Sequence, residues 1–397
     1  MPTLLSTEQL ARDLSVRDLS DPAEGPHAIQ LIAGRAAQAL AAHWRCRVRW
    51  CRGDRIVPVA DNYDLLGYDP GDVTREARYS RYIAAGQMLR SHSSALVPPA
   101  LRALAADPRD DVLLVCPALV YRRDSIDRLH TGTPHQLDLW RVTNRQPRMA
   151  QADLREMIRV VLAALLPGAG YRLEPRTHPY TVGGHQADVH RDGEWVEVGE
   201  CGLAHPQVLR AAGLGGEYTG LALGLGLDRL LMLVKHIPDI RLLRSANPRA
   251  ARQMLDLDRY TAVSTRPAVR RDLSVAVAAG DLAEDLGDRV RDALGAAAAC
   301  VESVQILQRT SCAGLPDQAR RRLGAGPGQD NLLVRVVLRD LDRTLTDQEA
   351  NSLRDRIYAA IHQGSVHQWA ATAPPGHRAA ENKLAAITQG TPMMHHG

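Results

Sequence analysis

The chain has 397 residues, 45% of them hydrophobic and 24% charged, which describes an ordinary globular protein with room for two or three domains. No apolar run approaches a membrane span, and Met1–Ser20 is too charged for a signal peptide, so a soluble, cytoplasmic protein without a membrane partner is expected. The net charge is only +4, yet almost every cation is Arg, with Lys only at 235 and 383. Arg suits phosphate contacts where it is functional. The six cysteines (46, 51, 116, 201, 300 and 312) show no CxxC spacing, so neither a zinc site nor a disulfide framework is indicated. There is no Phe, where a chain of this length carries roughly a dozen. The core must be built from Leu, Val, Ala and Ile, with Tyr and Trp.

In chain order, Pro26 and His27 open an amphipathic helix to about Trp44, with Ile29, Leu31, Ile32 and Leu40 on its apolar side. Residues 45–52 alternate as a strand. Helices are expected over 73–82 and 98–106. Two strand-like runs, 113–121 and 136–142, flank a charged loop, and a helix follows over 151–166. Strands are expected at 171–181, 186–189 and 194–199, a short helix at 204–213, a strand at 221–225 and a helix at 227–235. This order predicts a largely antiparallel sheet with helices on its faces, not a regular βαβ series. Residues 236–263, rich in Pro, Asp and Arg, read as a connector. A second module follows: strand 272–278, helix 283–294, strands 301–308 and 332–339, and helix 347–362, with a loop at 313–330. That order predicts a small ferredoxin-like α+β sandwich. The tail from 371 is expected to be disordered.

Four segments carry chemistry. In YRRDSIDRLHTGTPHQLDLW (121–140), Gln136 and Asp138 sit at period two and point to one face of the sheet, with Arg122 at its rim. A guanidinium beside an amide and a carboxylate can hold a phosphate and a zwitterionic amino acid; a solvated surface hairpin is an equal alternative. RSHSSA (90–95) offers His92 and Ser94, either to a substrate amino group or as a cap and a surface His. WVEVGECGLAHP (195–206) places Glu197 on a strand, where its carboxylate could hold a metal ion or amino group, or face solvent. GLGLDR (224–229) joins a strand to a helix; Gly224 and Gly226 allow close backbone approach and Arg229 lies in the first turn. The segment is either a phosphate site or a tight packing turn.

Together these segments resemble the class II phenylalanyl-tRNA synthetases over about residues 20–362. The hairpin resembles that family's motif 2, GLGLDR its motif 3, and residues 25–52 its motif 1. The second module, with STRPAVRRDLSVAV and DRTLTDQEANSLRDRIYAAIH, resembles the family's ferredoxin-fold anticodon-binding domain. The single-chain organellar type is the nearest architecture. The resemblance implies an N-terminal extension (1–20), a catalytic core (21–240), a linker (241–263), an anticodon-binding domain (264–365) and a tail (366–397). It implies that Arg122 grips the α-phosphate of ATP and the amino acid carboxylate, and that Arg229 covers the adenine and pairs with the γ-phosphate. His130 would meet ATP and the tRNA end, beside Gly224 and Gly226. His92, Ser94, Gln136 and Asp138 would hold the α-amino group, Asp138 replacing a Glu. Mg²⁺ would bridge the phosphates, with Glu197 near it, and Arg266, Arg270, Arg271, Arg320, Arg321 and Arg322 would contact tRNA phosphates.

The departures concern the side-chain pocket. Leu221 and Leu223 align with aromatics that pack on the substrate phenyl ring, Pro134 with an adenine-facing aromatic, and Tyr180–Gly184 replaces a segment carrying Glu, Pro and Ser. Each lost aromatic contact removes about 0.5–1.5 kcal/mol beyond area. The expected activity is ATP-dependent activation of Phe or a related amino acid and its transfer to tRNA, by a monomer or homodimer. The alternatives are adenylation for a non-tRNA acceptor and a non-catalytic tRNA-binding paralogue. A synthetase without Phe could be translated when charged Phe-tRNA is scarce.

Overall fold

In a computed structural model of the chain, residues 4–191, 193–263 and 266–367 are described; the expected tail lies, from 368 onward, outside them. Helix α1 (Thr7–Leu14) opens on a capping box between Ser6 and Gln9, a start signal within the supposed extension. Helix α2 (Ala28–Trp44) is capped by the His27 ring, which accepts from Ile29 N–H. It buries Ile29, Ile32, Ala36 and Leu40 at helical spacing. Next come β1 (Arg47–Trp50), β2 (Ile56–Pro58), the short α3 (Val59–Asn62), β3 (Arg81–Ala84), β4 (Gln87–Leu89) and α4 (Val97–Ala106).

The helix expected over 73–82 is not formed. A single 3₁₀ turn at Val73–Arg75 is followed by β3, because Gly86 at φ +77° closes a β3–β4 hairpin. Strands β2, β4 and β3, in that order, make a small sheet.

Strands β5 (Asp111–Leu119) and β6 (His135–Thr143) pair antiparallel around the charged loop, within two residues of the expected runs. After α5 (Gln151–Leu165) come β7 (Tyr171–Pro175), β8 (Thr181–Arg191), β9 (Glu194–Ala204), α6 (Pro206–Ala211), β10 (Thr219–Gly226), α7 (Leu227–Lys235) and α8 (Pro248–Gln253). The large sheet has the order β1-β5-β6-β10-β9-β8-β7; the β1–β5 pair is parallel, while the β5–β6, β6–β10, β10–β9, β9–β8 and β8–β7 pairs are antiparallel.

Helices α2, α5 and α7 cover one face, where Leu113, Val115, Leu139, Leu221 and Leu223 are buried. Six buried side chains of α5 (Leu154, Met157, Ile158, Val161, Leu162 and Leu165) contribute on the order of 10 kcal/mol of apolar burial. The opposite face packs Leu114, Cys116, Trp140 and Ala222 in a second core with side chains of α4 and with Val208 and Leu209 of α6. Covered on both sides, β5 reads as an unbroken apolar run from Val112 to Leu119. Residues 241–263, read as a linker, place Leu242, Leu243, Met254 and Tyr260 in the first core.

The chain divides into two compact units. Unit 1 holds residues 1–270 together with 282–304 and 337–345; unit 2 holds 271–281, 305–336 and 346–397. The C-terminal elements are β11 (Val269–Ala278), α9 (Ala283–Leu294), β12 (Val301–Ser311), α10 (Asp317–Leu323), β13 (Gln329–Leu338) and α11 (Asp347–Ile361), with sheet order β11-β13-β12. The loop expected at 313–330 contains α10, started after Pro316 and stopped by Gly324 at φ +60°. Within unit 1, α9 packs on the β5–β6 loop: Arg291 donates to the Asp124 and Ser125 carbonyls at 2.5 and 2.7 Å.

Candidate active site

The open face of the large sheet forms the floor of a cleft of about 630 Å³ within unit 1. Antiparallel register puts Gln136 opposite Gly226, and lines up Asp138, Gly224 and Glu200 in one row across β6, β10 and β9. The glycine between the two carboxylate residues projects nothing, so the row stays open. Asp138 is buried and fully engaged: Ser93 Oγ (2.5 Å), Ser94 Oγ (3.0 Å) and Trp140 Nε1 (3.2 Å) donate to it. Burial raises its pKa, and those three hydrogen bonds limit the rise. Gln136 Oε1 accepts from Ser93 N–H at 3.1 Å. His92 lies beside them with its Nδ1 buried and unpartnered. Burial, and then the Arg122 charge, push its pKa down to about 3, so the ring is neutral.

Cations gather at the mouth. Arg122 Nε donates to the Ser91 carbonyl at 3.0 Å, which aims the guanidinium at the cleft. Arg229 Nη1 donates to the Glu197 carbonyl at 2.9 Å, and its Nη2 lies 3.3 Å from His130 Nε2. His130 Nδ1 lies 2.7 Å from Asp127 Oδ2, and this hydrogen bond raises the His130 pKa against the opposing effect of burial. Both arginines therefore present donors and charge to one place, the arrangement a polyphosphate requires, and His130 links Arg229 to Asp127. Glu197 is exposed on the same wall. No group of three or more metal-ligating side chains occurs among the described residues. Mg²⁺ held mainly by substrate phosphates needs only one or two carboxylates, and Glu197 meets that requirement.

The remaining wall is aromatic. Tyr68 stacks on His92 at 5.7 Å, Tyr180 stacks on Trp140 at 6.2 Å and on His178 at 5.8 Å, and Tyr68 and Tyr180 are 6.2 Å apart.

Thus Arg122, His130, Arg229, Gly224, Gly226, His92, Ser94, Gln136, Asp138 and Glu197 all line one cleft. Leu221 and Leu223 do not. They face the helices on the far side of the sheet, so their assignment to the amino acid pocket is corrected; Ala222 and Gly224 occupy the near side of β10. Pro134 does line the cleft. Of the arginines expected to meet tRNA, Arg266, Arg270, Arg321 and Arg322 are exposed. Arg271 donates to Asn351 at 3.1 Å, and Arg320 pairs with Asp317.

Sequence reasoning missed Ser93, Tyr68, Arg176 and Glu200. Glu197 and Glu200 are three residues apart and by simple alternation would face opposite ways. A bulge in β9, where Ala187 pairs with Gly199 and Asp188 with Glu197, adds one residue and brings both to the cleft. No signal in the sequence announces that bulge. Tyr68, in the DNYDLLGYDPGD loop, comes from far along the chain, and only tertiary structure places it.

Comparison with known proteins agrees with this geometry. A phenylalanine–tRNA ligase alpha subunit of Nostoc sp. is 31% identical over 193 residues, 48% of this chain and 56% of that protein. The alpha subunit of Nostoc punctiforme gives the same figures. That of Mycobacterium avium is 30% identical over 240 residues, 58% of this chain and 67% of its own. The chain therefore spans little more than half the length of the first two of these relatives. Residues 38–254, which take in the large sheet, α5, α7 and the C-terminal end of α2, match the tRNA synthetases class II core domain (F), and the chain belongs to that family.

Proposed function

We propose that this protein activates an α-amino acid with ATP and passes the aminoacyl group to a tRNA. The observation that carries this reading is the single cleft in which Arg122, His130 and Arg229 face a polar floor of Gln136 and Asp138. A substrate carboxylate oxygen attacks the α-phosphorus of ATP. The bond from that phosphorus to the oxygen bridging to the β-phosphate breaks, and its electron pair leaves with pyrophosphate. The protein supplies position and charge, with no covalent intermediate. Arg122, whose charge acts on both His92 and Asp124, can neutralise both the attacking carboxylate and the α-phosphate. Arg229, fixed by the Glu197 carbonyl, takes the terminal phosphates at the rim. Gln136 offers its carbonyl to the α-ammonium group, and Asp138 supplies negative charge held in place by Ser93 and Ser94. Mg²⁺, held by the phosphates and Glu197, would supply further charge neutralisation.

The C-terminal succession β11-α9-β12-β13-α11, with strand order β11-β13-β12, supports a ferredoxin-like module. Its exposed arginines suit tRNA phosphates.

Pyrophosphate exchange with a panel of amino acids, followed by aminoacylation of total tRNA, tests the reading. Exchange with at least one amino acid, lost in Arg122→Ala, is expected; no exchange with any would refute it. Exchange without tRNA charging would move the acceptor to a small molecule or carrier.

A further inference from the structure

We infer that the amino acid taken by this cleft carries an aromatic side chain bearing a hydrogen-bond donor, read by Glu200. This rests on the activation proposed above. With the ammonium group at Gln136 and Asp138, the open path for the side chain runs along the floor row over Gly224. Two strand spacings of about 4.8 Å separate the Asp138 and Glu200 backbones, room for one ring. Tyr180 and Tyr68 line the same cleft with ring centroids 6.2 Å apart, an aromatic wall that suits a planar side chain.

At the end of the path the wall is charged, not apolar. Glu200 lines the cleft with its side chain one-third exposed; His178 Nε2 lies 3.1 Å from Oε2, and Arg176 Nε lies 3.6 Å from Oε1. Burial works against the ionised carboxyl, but His178 and then Arg176 hold its pKa below the usual range. A carboxylate of this kind loses water when a hydrocarbon edge covers it and gains a partner when an N–H or O–H meets it. Sites built to pair a polar substrate group discriminate strongly against the analogue lacking it. Phe presents a bare ring edge here; Tyr and 4-aminophenylalanine present a donor.

The test is calorimetric titration of the whole protein with Phe, Tyr and 4-aminophenylalanine, run beside pyrophosphate exchange on the same preparations. We expect at least one donor-bearing amino acid to bind tenfold or more tightly than Phe, and Glu200→Ala to remove the difference. Glu200→Gln, which preserves shape, should reduce it, and a urea midpoint for each variant separates loss of fold from loss of recognition. Equal or tighter binding of Phe by the wild type overturns the inference, as does a preference that survives Glu200→Ala, or no binding of any of the three. The expected preference in binding without exchange would overturn the activation reading alone.

Discussion

Two glycines on adjacent strands, Gly224 of β10 and Gly199 of β9, give the sharpest check on the cleft floor. A methyl group at Gly224 would lie 3.8 Å from the Glu200 carbonyl oxygen and 3.9 Å from Asp138 Oδ1, ordinary contact distances. The fold should therefore accept Gly224→Ala, with stability changed by less than about 1 kcal/mol. The same methyl stands on the path proposed for the substrate side chain. Overfilling a packed contact costs about 1–3 kcal/mol, which corresponds to roughly a 5- to 150-fold weaker Kd. Gly199→Ala is the control. Its methyl would intrude on the Gly224 carbonyl oxygen inside contact distance and approach Leu225 Cδ2 at 2.9 Å, with backbone on one side unable to yield. That variant should lose about 2–3 kcal/mol of stability. Urea denaturation at constant m-value reads the stabilities, and calorimetry with the preferred amino acid reads the Kd. Unaltered affinity in Gly224→Ala would mean that the side chain does not cross Gly224. Unfolding of that variant would mean that the row is not open.

Three further outcomes follow from buried and paired groups. Asp228 is buried against His135 Nδ1 at 3.0 Å; burial opposes its ionised form, but His135 and then Arg244 hold its pKa below the usual carboxylate range. A depressed folded pKa stabilises above the unfolded value near 4 and is lost as pH falls through the folded value. Asp228→Asn should cost about 3 kcal/mol at pH 7 and flatten the acid limb of the stability curve; a wild-type-like curve would refute this. The pKa of His130 is raised by Asp127, so that pair's contribution is complete below about 6.5 and fades as pH rises through the folded value. NMR titration should find Asp127→Asn returning His130 toward about 6.5, and no change would contradict the assignment. His92, with its pKa pushed down to about 3, should show no ring-proton titration between about pH 5 and pH 8.

The chemistry of the cleft was legible where it depends on neighbours in sequence. Period two placed Gln136 and Asp138 together because β6 is regular across both, and GLGLDR announced a strand-to-helix turn through its glycines. The misplacement of Leu221 and Leu223 came from a linear correspondence that carries no information on faces. Once Gly224 and Gly226 face the cleft, alternation sends the odd positions of β10 to the helices. Glu200 was hidden for the opposite reason, since the bulge in β9 breaks the alternation that would have located it. The helix expected over 73–82 failed because the positive φ of Gly86 favours a hairpin over local apolar spacing. A Phe-free core proved no obstacle: Leu, Val, Ala and Ile dominate the buried set, with Trp140, Tyr63 and Tyr121 as its largest members.

Unit 1 is assembled from three separated stretches, and the last of them ends at residue 345. A ribosome adding about 5–20 residues per second takes roughly 8 to 33 seconds to pass from Asp124 to Arg291. The loop that carries Arg122 and His130 gains its Arg291 hydrogen bonds only after α9 has been made, more than 150 residues later in the chain. The order of synthesis is thus at odds with the order of packing, and the nascent cleft waits with an unfinished wall. A chain cut between these stretches would not yield a catalytic half and a binding half, because the boundary in space is not a boundary in sequence.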